Sequence, residues 1–224
     1  MNVVRGALLV AAKDLRIERR SRVALQQILP FGGIVVMLFA FALDSDRTLL
    51  PRAAPGLFWA AVLLATLLAV GRSFAVEEAN RARDGLRLSG LDGGSIFLGK
   101  AAAVAAELLL LEAVLAVAVV ALYDVTPRGF VLIICAAVAA TVGLAATGTV
   151  YGVLSAGLRA RETLVPLLVL PAVIPVMLGG TRAFQAALDG APSDGWPWVQ
   201  LLVAFAVLVV AAGLVAFGPL LEEV

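Results

Sequence analysis

Six long apolar stretches, punctuated by short charged segments, account for most of this chain; they run at about 23–43, 53–76, 101–123, 129–158, 163–181 and 196–221. Crossing a hydrocarbon core of roughly 30 Å takes about 20 helical residues, with every backbone N–H and C=O paired inside the segment. The pattern predicts an all-α, polytopic membrane protein of six transmembrane helices, forming a single transmembrane domain over residues 1–224. Ahead of the first span, residues 5–22 place Leu8, Ala11, Ala12 and Leu15 on one helical face and Lys13, Arg16 and Arg20 on another, the spacing of an interfacial amphipathic helix.

Composition points the same way: 62% of residues are hydrophobic and 15% charged, where soluble domains carry roughly 25% charged residues. Mean hydropathy is +1.04. The net charge of +1 says little, but its distribution is informative, because Lys and Arg collect in cytoplasmic loops. Thirteen of the 17 basic residues fall on one side, and only Arg47, Arg52, Arg128 and Arg182 on the other. Both termini are therefore expected in the cytoplasm. Trp59, Trp196 and Trp198 are expected at the opposite interface, where an indole keeps its ring in the apolar layer and its N–H wet. The apolar run at 7–12 is short and leads into charged residues, so a cleavable signal peptide is not expected.

The loop at 77–100 is the chemically richest segment. Glu77, Glu78, Arg81, Arg83 and Asp84 mix charges of both signs, and Leu86, Leu88, Leu91, Ile96 and Phe97 supply apolar anchors. A short helix against the membrane, its charged face turned to a cytoplasmic partner, would use both; a solvated connector is the plainer alternative. The third span contains Glu107 and Glu112, and an ionisable group at such depth is costly enough to mark a functional site or a paired structural carboxyl. Arg72 and Lys100 are the candidate partners. In the fourth span Gly148, Gly152 and Ser155 make a smooth stripe for another helix. Pro166, Pro171 and Pro175 predict a kinked or broken fifth span. Residues 183–198, rich in Asp, Gly and Pro, read as an outer loop or a short interfacial helix.

Several function classes drop out. Residues 94–100, GSIFLGK, mimic a phosphate-binding loop, but Ala101 replaces the magnesium-binding Ser or Thr and no strand precedes them. The chain has no histidine, which disfavours a di-haem cytochrome, a zinc protease and a Ser–His protease together. The single Cys135 has no partner for a disulfide. Met37 and Met177 read as packing residues. Basic residues are placed as topology signals without interleaved aromatic platforms, so no nucleic-acid partner is expected. No metal, cofactor or catalytic constellation is expected in this chain, and the spans leave no room for a soluble catalytic domain.

The order of parts resembles the membrane subunits of type 2 ABC exporters. More specifically, the chain resembles the CcmB family, the haem exporter membrane subunits of the cytochrome c maturation system. The resemblance is carried by residues 52–59 (RAAPGLFW), by Phe74, Glu77, Gly85, Leu86, Leu88 and Ser89, by residues 96–100 (IFLGK) and by residues 170–175 (LPAVIP). After Ser89 the chain has Gly90 where the family commonly has proline. The resemblance implies a non-catalytic permease subunit in the bacterial inner membrane, paired with a second copy. Implied partners are an ATPase subunit, CcmA, which supplies ATP hydrolysis, together with CcmC, CcmD and the haem chaperone CcmE, with haem as the cargo. The surface meeting the ATPase would comprise Glu77, Glu78, Arg81, Arg83, Asp84, Leu86 and Leu88, with Lys13 and Arg16 of the N-terminal helix. The rivals are a type 2 permease for lipid, polysaccharide or drug, a proton-coupled carrier using Glu112, and a purely structural assembly subunit.

Overall fold

Backbone groups have no water to pair with in lipid, so uninterrupted apolar segments satisfy themselves as helices. The computed structural model describes residues 2–21, 24–43, 49–79, 90–154 and 169–223. Seven helices are described: α1 (Val3–Ser21), α2 (Leu29–Leu43), α3 (Leu49–Ala79), α4 (Gly93–Tyr123), α5 (Phe130–Leu154), α6 (Ile174–Leu188) and α7 (Pro192–Glu223). A π-helical turn, Ala24–Ile28, leads into α2. Among the described residues there is no strand. The chain is a polytopic, all-α membrane protein.

Among the described residues, five segments are long and apolar enough to cross a bilayer: Gln26–Leu43, Leu49–Gly71, Gly93–Tyr123, Phe130–Leu154 and Pro192–Leu220. Only part of the fifth predicted span is described. Residues 169–172 are helical, the helix is interrupted at Val173, and α6 follows. The Val173 N–H still donates to the Val169 carbonyl at 3.1 Å, and the Met177 N–H to the Val173 carbonyl at 3.0 Å. Pro171 lies in the first piece and Pro175 at the start of α6, where a missing N–H costs little. Pro166 and residues 163–168 are outside the described residues.

The helices overrun several of the limits expected from hydropathy. α4 begins at Gly93, eight residues before the predicted span, capped by Asp92, whose carboxylate accepts from the Gly94 N–H at 3.1 Å. α3 reaches Ala79, so the segment predicted as a loop at 77–100 is helical at both ends. The predicted outer loop at 183–198 is mostly helix too: α6 runs to Leu188 and α7 starts at Pro192. Asp189, Gly190 and Ala191 make the turn between them, with Gly190 at φ +75°.

α4 lies at the centre, packed against α1, α2, α3, α5 and α7. α5 joins α3, α6 and α7 around it. A core of aromatic rings ties α3 to α6: Trp59 packs edge-on to Phe58 and Phe184, with centroids 5.5 and 5.2 Å away, and Phe58 stacks on Phe184 at 5.1 Å. Trp59 is fully buried, against the expectation of an indole whose N–H is kept wet. The reason is Gly180 of α6, where any side chain would collide with the indole. Trp196, by contrast, is 41% exposed.

Candidate functional site

The spans bury few polar side chains, and each has to find a partner. Thr66, Thr147 and Thr149 do so locally, donating to the carbonyl four residues earlier in their own helices at 2.8, 2.7 and 2.7 Å. Thr141 differs. Its hydroxyl crosses from α5 to donate to Glu112 Oε1 of α4 at 2.5 Å. Glu112 lies eleven residues before the end of α4 and Thr141 eleven residues after the start of α5, so the antiparallel pair places both at one level. At 1.5 Å per residue that level is about 16 Å from the helix ends, close to the middle of a hydrocarbon core of about 30 Å. Glu112 is 3% exposed, and its second oxygen has no hydrogen-bond partner among the described residues.

A second polar group lies where α1 docks on α4. Successive turns of α1 meet successive turns of α4 in parallel order. The Val3 carbonyl accepts from the Ser95 hydroxyl at 3.2 Å, Gly6 lies on Ser95, and Val10 lies on Gly99. A side chain at Gly99 would strike Val10 and the Ala7 carbonyl, so the two helices meet almost backbone to backbone. One turn on, the Asp14 carboxylate reaches Lys13 Nζ at 2.9 Å and Lys100 Nζ at 3.8 Å. Lys100 is 2% exposed. Deeper still, Glu107 lies within electrostatic reach of Glu18 and Asp14.

α1 thus has three faces. Gly6, Val10 and Asp14 dock on α4; Val4 and Leu8 project an exposed apolar stripe; Arg5, Arg16 and Arg20 form an exposed basic edge. Leu8, expected on a single apolar face, belongs to the stripe turned away from α4.

Of the residues proposed to meet an ATPase, Lys13 is paired with Asp14 and Arg16 is exposed. Glu77 and Glu78 fall in the closing turn of the α3 backbone. Arg81, Arg83, Asp84, Leu86 and Leu88 lie outside the described residues. Lys100, considered as a partner for Glu112, instead pairs with Asp14. The glycines of the GSIFLGK stretch serve packing: Gly94 accommodates Leu214 of α7, and Gly99 accommodates α1. Gly148 of the small-residue stripe receives Val70 of α3. Among the described residues no cluster of His, Cys, Asp or Glu could hold a metal ion. Sequence reasoning missed Thr141 and Asp14. Thr141 resembles the other threonines of its span, and the only available cue was a hydroxyl opposite a buried acid.

The family model for the CcmB protein matches residues 5–222. The chain belongs to the CcmB family. Curated relatives agree along nearly the full length. Heme exporter protein B of Pseudomonas aeruginosa is 32% identical over 215 residues, covering 92% of this chain and 95% of the relative. The protein of the same name from Bradyrhizobium diazoefficiens is 31% identical over 204 residues, with 90% of each chain covered. That of Escherichia coli K12 is 30% identical over 186 residues, covering 82% of this chain and 83% of the relative. The matched span includes Asp14, Lys100, Glu112 and Thr141.

Proposed function

We propose that this CcmB-family chain is the non-catalytic membrane subunit of an ATP-driven complex for cytochrome c biogenesis in the bacterial inner membrane. The observation that carries this reading is the full-length family match, with relatives named heme exporter protein B. Haem is the cargo of the system, and the subunit serves its export through release of haem-loaded CcmE. ATP is hydrolysed by a separate subunit, CcmA. CcmC and CcmD are further partners, and two copies of this chain pair in the assembly. Both termini and the 80–92 connection face the cytoplasm, in keeping with the distribution of basic residues.

Nucleotide-driven closure of CcmA would push on Glu77, Glu78, Arg81, Arg83, Asp84, Leu86 and Leu88 and on the basic edge of α1 at Arg16. Glu112 and Glu107 are the intramembrane groups this movement would reach, and the interruption at Val173 between Pro171 and Pro175 gives α6 a place to bend. Because the chain has no histidine, any haem it meets is held without imidazole from this chain. The test is charge reversal, Arg81→Glu with Arg83→Glu. Co-purification of CcmA or its coupled ATP turnover should fall, with thermal unfolding of the membrane domain unchanged. Undiminished co-purification, ATP turnover and cytochrome c assembly would refute the assignment.

A further inference from the structure

We propose that Asp14 and Lys100 act as positioning residues: an ionic pin that makes α1 and α4 one rigid body, so that a displacement of α1 reaches the Glu112–Thr141 contact. The inference rests on the reading of the chain as an ATP-coupled subunit and adds the route by which movement enters the bundle.

Three observations carry it. First, the seam is built for close approach, with Gly6 on Ser95 and Gly99 on Val10, and the Ser95 hydroxyl donates to the Val3 carbonyl. Second, Lys100 is a buried cation, 2% exposed, and α1 brings the Asp14 carboxylate to 3.8 Å from it. Lifting α1 would separate the two charges, and the lost attraction between a buried ammonium and this carboxylate resists sliding more strongly than apolar contact alone. Third, α4 runs from Gly93 to Tyr123 without a proline, so Ser95, Gly99, Lys100 and Glu112 are carried on one continuous rod. A rotation imposed at Lys100 is handed twelve residues along that rod to Glu112, whose hydrogen bond to Thr141 depends on the relative rotation of α4 and α5.

Asp14 holds Lys13 as well as Lys100, so the carboxylate also fixes the neighbouring basic side chain of α1. Arg5, Arg16 and Arg20 are left on the outward edge to meet whatever moves the helix.

The experiment uses the whole complex in inverted membrane vesicles, with Cys135→Ala and Ser95→Cys as background. Ser95 is 3% exposed beneath α1, so an impermeant maleimide should label position 95 slowly. Lys100→Met and Asp14→Asn should each speed labelling by roughly tenfold or more, the signature of local undocking. Lys100→Arg and the exchange Asp14→Lys with Lys100→Asp should restore protection. In the same vesicles Lys100→Met should keep ATP turnover while cytochrome c matured per ATP falls, and Lys100→Arg should recover that ratio, which a merely structural role would not separate. Unchanged protection in the single variants overturns the pin. Lost protection with an unchanged maturation ratio overturns its role in transmission. If maturation by the unmodified complex persists with a hydrolysis-dead ATPase, the underlying reading of ATP coupling fails instead, an outcome distinct from any change in labelling.

Discussion

The hydroxyl of Thr141 on α5 donates to the carboxyl of Glu112 on α4 at 2.5 Å, bridging two antiparallel spans eleven residues from the end of α4 and from the start of α5. Without that donor, neither oxygen of Glu112 would keep a hydrogen bond to the described helices. Thr141→Val keeps shape but removes the donor, and is expected to lower stability by about 1–3 kcal/mol, the cost of an unmet buried polar group. Glu112→Gln retains an acceptor for Thr141 and should cost less. Thermal unfolding of the purified protein in detergent checks the order of the two variants; a Thr141→Val protein as stable as the unmodified chain would contradict it.

Gly180 of α6 and Trp59 of α3 form a tight aromatic fit, with no room for a side chain at position 180. Gly180→Ala forces a methyl into the indole and should destabilise by about 1–3 kcal/mol. Trp59→Phe opens room, so adding it to Gly180→Ala should recover part of the loss. A double-mutant cycle read by thermal unfolding measures the coupling, and strict additivity would show that the two positions do not constrain each other.

Tyr123 ties the end of α4 to α2, its hydroxyl donating to the Val36 carbonyl at 2.9 Å. Tyr123→Phe should cost about 1 kcal/mol, because the carbonyl still has its helical partner and loses only a second bond. Hydrogen exchange along α2 should rise before global unfolding changes. Unchanged exchange would mean that the bond does not hold the two helices.

Membrane orientation makes a direct forecast. In a cysteine-free background, Arg16→Cys should react with an impermeant reagent only from the cytoplasmic side, and Asp189→Cys only from the opposite side. Both positions are exposed in the fold, so failure to react from either side is not expected. The reverse pattern would invert the chain and remove the proposed ATPase surface.

The hydropathy pattern made the spans legible because lipid leaves the backbone no alternative to helix. It was less informative at their ends. Residues 93–100 contain three glycines, a serine and a lysine, and read as loop; α1 and α7 cover them, and packing extends α4 through that stretch. The Asp, Gly and Pro of 183–198 suggested a long outer loop. They instead punctuate a three-residue turn, Gly190 taking the positive φ and Pro192 opening the next helix. Glu112 and Glu107 stood out as charged letters in an apolar run. Their surroundings did not, since which threonine faces which acid depends on helix rotation. Trp59 misled for the same reason: nothing in the local sequence announces that Gly180 lies beneath it.

With 31 residues, α4 measures about 46 Å, well beyond the roughly 30 Å of fatty-acyl chain it must traverse. The excess can be accommodated by tilt or left as an overhang among the lipid headgroups. Longer acyl chains would draw the Ser95–Lys100 turn inward and shorter ones would expose it, so membrane thickness itself becomes a setting for how firmly the N-terminal helix is held. A cell that remodels its lipids with temperature would thereby retune this protein without altering a single residue.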